Sequence, residues 1–269
     1  MLARLDFTRP RTIVAAAVLV GILAGLCGAI FATVVTEPRV DDAIALEEQR
    51  AAEHPSDTAD TEVGRMAVVD RGDQKGPGLF GAYAVAGAAF GLILAVTTLS
   101  LRTTTGGPFR RVALSGLILA GAITVTPWLK YPPNPPAVGD PDTVVQRERY
   151  YVLAIVLGAL LLAGAAHLSA RLRRAGWPEH RRVTVIVLGT LFGFAVVGAA
   201  LPPNPDAITA PANLVWQFRI DSLMGNLLVW TLLTLGLGVL WTESARARAA
   251  AAQNGAQNSM PFKAEIPAS

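Results

Sequence analysis

TIVAAAVLVGILAGLCGAIFATVVT, residues 12–36, runs without a single charged side chain. Wound as an α-helix at about 1.5 Å per residue, it reaches roughly 37 Å, more than the roughly 30 Å hydrocarbon core of a bilayer. Moving outward from it, further apolar runs occur at about 79–101, 112–129, 150–169, 183–201 and 220–241. The 269 residues are 52% hydrophobic and only 16% charged, and the mean hydropathy is +0.43. That balance is far from a soluble domain of this length. The expected fold is an all-α integral membrane protein with six transmembrane helices in residues 1–242, followed by a disordered cytoplasmic tail, 243–269.

Residues 12–36 are read as an anchor rather than a cleaved signal peptide, because the run is much longer than a usual signal h-region and no A-x-A site closes it. Cys27, the single cysteine, has no intrachain disulfide partner and is expected to pack as a small apolar residue. Glycine pairs four apart, Gly21/Gly25, Gly87/Gly91 and Gly189/Gly193, predict seams where helix backbones approach closely. Aromatic residues near the span ends, among them Trp128, Tyr131, Tyr151 and Trp177, suit interfacial belts.

Arginines gather before the first span, between the second and third, between the fourth and fifth, and after the sixth. The positive-inside rule then puts both termini in the cytoplasm of a multi-pass protein of the cell membrane. The segment 37–78 becomes an outer loop, with five basic residues against eleven acidic ones. A sequence pI of 9.3 could suggest nucleic acid, yet the basic excess is accounted for by the cytoplasmic turns, so no nucleic-acid partner is expected.

The chain also repeats itself. Pro132-Pro133-Asn134-Pro135 returns seventy residues later as Pro202-Pro203-Asn204-Pro205, and at the same offset Val145, Arg149 and Leu153 fall over Val215, Arg219 and Leu223. Gly106-Gly107-Pro108 likewise matches Gly176-Trp177-Pro178. Each unit holds two spans, so the copies are expected to run parallel, with both proline corners on the outer side.

Prolines end a helix and push the preceding residue into extended geometry, so the corners should be stiff. Two readings stand. In one, the corners are rigid turns covering helix ends, since proline and asparagine are ordinary turn chemistry. In the other, they form an outer vestibule whose oxygen donors are Asn134, Asp140, Asp142, Asn204 and Asp206, with His54 of the acidic loop as a further candidate ligand for Co2+ or Ni2+. Arg149 and Arg219, at matching entries to the fourth and sixth spans, serve either as interfacial anchors or as gates. Asp221, Ser222, Met224 and Asn226 fall at helical spacings of three and four and predict a polar stripe on the last helix. His167, near the inner end of the fourth span, is either a pathway residue or an interfacial one.

No span carries a mid-bilayer Asp, Glu, Lys or Arg. There is also no phosphate-binding loop, serine elbow, H-E-x-x-H helix or paired-cysteine site. An enzyme is not expected, and ion movement would be either passive or completed by a partner.

The run from Lys130 to Thr143, KYPPNPPAVGDPDT, and the late run from Leu214 to Leu223, LVWQFRIDSL, resemble the CbtA family of predicted cobalt transporter subunits. The likeness covers nearly all of the chain except its tail. It implies a membrane subunit of a divalent metal uptake system, with Co2+ as the transported ion rather than a permanently bound cofactor. It also implies a link to cobalamin supply and a small single-span, His-rich CbtB-like partner. Asn134, Asp140, Asp142 and Arg219 match the family motifs. The rival is a non-transporting membrane assembly protein that holds a partner through its rigid corners.

Overall fold

The computed structural model describes residues 6–53, 70–101, 106–136, 138, 141–205, 208 and 210–258. Among them there is no strand, and six helices are long and apolar enough to cross a membrane. Helix α1 comprises Pro10–Phe31, a π-helical turn Ala32–Thr36 and Glu37–Glu53. Helix α2 joins Arg71–Asp73, a second π-turn Gln74–Gly78 and Leu79–Ser100. Helix α3 joins Pro108–Ala120, Gly121–Val125 and Thr126–Lys130. A short 3-10 turn, Pro141–Thr143, leads into α4, Val144–Arg174, which is followed by α5, Glu179–Ala200, and α6, Ala212–Asn258.

The sequence punctuates these helices by known means. Pro10 and Pro108 occupy first-turn positions of α1 and α3, where a missing N–H costs nothing. At the other end, α3 and α5 stop where proline begins. Leu201, just before Pro202, is extended at φ −74°, ψ 139°, the geometry a following proline imposes. Between α4 and α5, Gly176 adopts φ +77°, its N–H bonds the Arg173 carbonyl and that of Trp177 bonds Leu172. This is a Schellman closure, and its left-handed position favours glycine. Gly106, at the aligned place before α3, also has a positive φ.

Helices α1, α2, α3 and α6 form the centre. Their contact is built from Ile13, Leu94, Val112, Trp230, Leu233 and Leu237, all nearly inaccessible. The α1–α2 seam is the closest approach. A Cβ on Gly21 would strike the Gly87 carbonyl, one on Gly25 that of Tyr83, and one on Gly91 that of Ala17. The predicted seam at Gly189/Gly193 differs. Gly189 faces open space and Gly193 meets only the Leu161 side chain, because α5 lies at the periphery. No residue of α5 is buried, and α4 buries only Ala154 and Gly158. Cys27 is exposed on the bundle exterior instead of packed inside.

Three segments differ from their sequence expectation. Residues 37–53 and 71–78, expected as loop, extend α1 and α2 as helix. Arg71 pairs with Glu37 at 2.6 Å and Lys75 with Asp41 at 2.5 Å, so opposite charges zip the two extensions together. The tail, expected to lose order from residue 243, continues α6 through Asn258. Its alanines favour helix, and Arg248 reaches across to Asp6 at 2.8 Å. The aligned helices α4 and α6 also occupy unlike places, one peripheral and one central.

Candidate functional site

The two proline corners meet. The Tyr131 hydroxyl donates to the Pro202 carbonyl at 2.7 Å, and Lys130 Nζ donates to the Gly198 carbonyl at 2.8 Å. The end of α3 is thereby fastened to the end of α5. Tyr131 also stacks on Tyr150 of α4, with ring centroids 5.9 Å apart.

The first corner is further locked to α6. Arg219 Nη2 donates to Asn134 Oδ1 at 2.8 Å, and Trp128 Nε1 donates to the Arg219 carbonyl at 2.9 Å. A guanidinium has only donors, so the asparagine must turn its oxygen toward it. In this arrangement that oxygen serves as a latch. Pro135, next to it, is almost wholly buried. One residue from Ile220, the Asp221 carboxylate stands 3.7 Å from Arg39 Nε of the α1 extension. This is an ion pair too long for a hydrogen bond, and Asp221 Oδ2 and Arg39 Nε both remain buried without one.

Between the corners and α4 opens a vestibule of about 470 Å³, lined by Tyr131, Pro133, Asn134, Arg147, Glu148 and Asn204, with Tyr151 at its wall. A second cavity of about 260 Å³ lies against Thr124, Trp128, Ser222 and Asn226, and shares Pro133 and Tyr151 with the first. The π-turn Gly121–Val125 carries Thr124 into this wall, an example of a widened turn placed where a polar side chain is wanted. Thr124 Oγ1 accepts from Trp230 Nε1 at 3.1 Å. Phe90, which lines this cavity, stacks on Trp230 at 4.7 Å. Next to this pair lies the apolar core of Leu94, Leu233 and Leu237.

The structure brings some of the expected residues together. Asn134 and Asn204 both line the vestibule. Ser222 and Asn226 line the deeper cavity, whereas Asp221 turns to Arg39 and Met224 is exposed, so the predicted stripe divides three ways. Asp142 and Arg149 are exposed, and Arg149 lines neither cavity. His167 is exposed near the opposite, arginine-rich end of α4. Asp140, Asp206 and His54 lie outside the described residues. Among the described residues no group of three or more His, Cys, Asp or Glu is arranged to hold a metal ion.

Sequence reasoning missed Lys130, Tyr131, Trp128 and Tyr151 as parts of the site, having assigned the aromatics to lipid belts. Their position immediately around Pro132 and at the entry of α4 was the available signal. Arg39 and Thr124 carried none, since one depends on the helical extension of α1 and the other on a π-turn.

No curated protein matches this chain, and no solved structure does. A family model does match, over residues 10–242, and its description is "Probable cobalt transporter subunit (CbtA)". The match spans all six membrane helices, both proline corners and the Asn134–Arg219 latch, so this multi-pass membrane protein belongs to the CbtA family.

Proposed function

We propose that the chain is the membrane subunit of a divalent metal uptake system, with cobalt as its cargo, serving cobalamin supply. It lies in the cell membrane with both termini in the cytoplasm, so the proline corners face outward. The observation that carries this reading is the pair of cavities in series, joined at Pro133 and Tyr151. A hydrated cation enters beside Glu148 and Asn204, passes the shared wall, and meets the hydroxyl and amide oxygens of Thr124, Ser222 and Asn226. Neutral oxygens suit transit, which requires binding weak enough to release. The stacked Phe90 and Trp230 close the floor, so passage needs those rings to part. Asp142, exposed in the 3-10 turn that leads into α4, adds a carboxylate at this end of the bundle.

The corners derive from a duplicated two-helix unit whose copies have since diverged in packing. Their contact through Tyr131 and Pro202 supports placing both on one face. A small single-span, His-rich CbtB-like subunit supplies metal capture, and the unburied α5 leaves room for another helix beside the bundle.

The second reading, an assembly protein that grips a partner through its corners, is favoured by the latch, because Asn134 Oδ1 is already used. Uptake of labelled cobalt by cells expressing the chain, with and without the single-span protein, separates the two. Uptake that rises with both present supports transport; no change at micromolar metal supports assembly. Orientation is tested by placing cysteines at Pro136 and Pro205, both exposed, in a Cys27→Ser background. Both should react with a membrane-impermeant maleimide on intact cells.

A further inference from the structure

At the end of the bundle remote from the proline corners, four arginines converge. A small cavity of about 80 Å³ is lined by Arg110 and Arg111 of α3, Arg173 of α4 and Arg182 of α5. It shares Arg110, Leu114, Ala166 and Ser169 with a groove of about 570 Å³ that runs between α3, α4 and α5 along Leu117, Leu162 and Leu191. None of the residues lining either space is acidic. Arg182 is only 13% exposed, and its ion-pair partner Glu179 stands 3.8 Å away and is itself 85% exposed. Arg111 lies over the Trp241 ring, its centre 5.7 Å from the centroid, and its Nε is buried without a hydrogen bond. Leu117 and Leu191 are 72% and 60% exposed, so the groove opens sideways toward lipid.

Topology alone asks for arginines at this end of the bundle, and Arg171, Arg174 and Arg246, which line neither space, meet that demand. It does not ask that four others be gathered from three helices at the mouth of an apolar channel. From this convergence we infer that the site binds an anionic phospholipid of the arginine-side leaflet. The phosphate sits among Arg110, Arg173 and Arg182, and an acyl chain lies in the groove. Guanidinium forks match phosphate oxygens, and basic pockets between transmembrane helices are suited to acidic headgroups. The lipid fastens α3, α4 and α5 to one another at the end where α5 has little protein to rest on.

The test is native mass spectrometry of the full chain in detergent with added dioleoyl phosphatidylglycerol or dioleoyl phosphatidylcholine. The wild type should retain the anionic lipid on the order of tenfold better. Arg110→Gln/Arg173→Gln/Arg182→Gln should remove that preference. Arg171→Gln/Arg174→Gln/Arg246→Gln, an equal change of charge, should keep it. A preference that survives the first variant, or that falls as far in the second, overturns the site. On the unmodified chain in nanodiscs, phosphatidylglycerol with a photoreactive acyl chain should label segments containing Leu117, Leu162 or Leu191. Labelling spread evenly over the bundle refutes the inference even if the variants do not fold. Inorganic phosphate that matches the lipid's retention shows a free-anion site and equally overturns it.

Discussion

The two proline corners share Pro-Pro-Asn-Pro but are put to different use. In the first, Pro135 is buried, Asn134 is held by Arg219, Tyr131 reaches the other corner at Pro202 and Lys130 the end of α5 at Gly198. In the second, Pro205 is exposed and Asn204 borders the vestibule. The arginines at the aligned helix entries diverge likewise, Arg219 latched and Arg149 exposed. The difference comes from surroundings. Arg219 is on α6, whose central position lets it reach the first corner, whereas Arg149 is on α4 at the bundle's edge. Repeated sequence thus yields a fixed wall on one side and a rim on the other.

The contrast is most easily broken at the arginines. Arg219→Ala removes a charged hydrogen bond and should lower stability by about 1.5–3 kcal/mol. Arg149→Ala should stay within about 0.5 kcal/mol, as exposed positions do. Thermal unfolding in detergent compares them, and equal losses would erase the distinction between latch and rim. Next in size, Asn134→Ala leaves the Arg219 guanidinium without its acceptor and should cost about 1–3 kcal/mol. Asn204→Ala should change cobalt uptake more per unit of stability lost. Tyr131→Phe isolates the link between corners; loss of its bond to Pro202 should cost about 0.5–1.5 kcal/mol with the ring stack kept.

The smallest effect concerns the charged pairs that zip the extensions of α1 and α2 together. A hydrogen bond from Lys75, aided by the Lys75 and Arg71 charges, holds the Asp41 carboxyl below its ordinary value of 3.8. A carboxyl depressed by folding contributes stability above the unfolded value, and that contribution is lost as pH falls through the lower folded one. The wild type should therefore outlast Lys75→Ala in thermal unfolding near about pH 6, and the gap should close as the pH falls below 3.8. A gap that persists in acid would mean Lys75 acts through packing.

Hydropathy made the six helices legible, and the proline motif marked the end of the bundle where the candidate site lies. The Gly21/Gly25 and Gly87/Gly91 seam was readable because only a close backbone approach rewards paired glycines there. The same spacing misled at Gly189, where spacing reports what is permitted and the peripheral place of α5 decides what occurs. The helical extension 37–53 was hidden by its charge, since its stability depends on Arg71 and Lys75 more than thirty residues away. Nothing in the string of α3 announces the π-turn that brings Thr124 to Trp230. Asn134 was named from its motif, but its engagement with Arg219 depends on two helices meeting, which only packing determines.

Helix α6 carries Arg219 at one face of the membrane and Arg248 at the other, roughly 44 Å apart along an unbroken rod. Both are tethered, to Asn134 and to Asp6. A tilt that frees the upper tether must drag on the lower, so the rod works as a lever. Such a tilt must also shift Trp230, Leu233 and Leu237, which lie in the core between the two tethers.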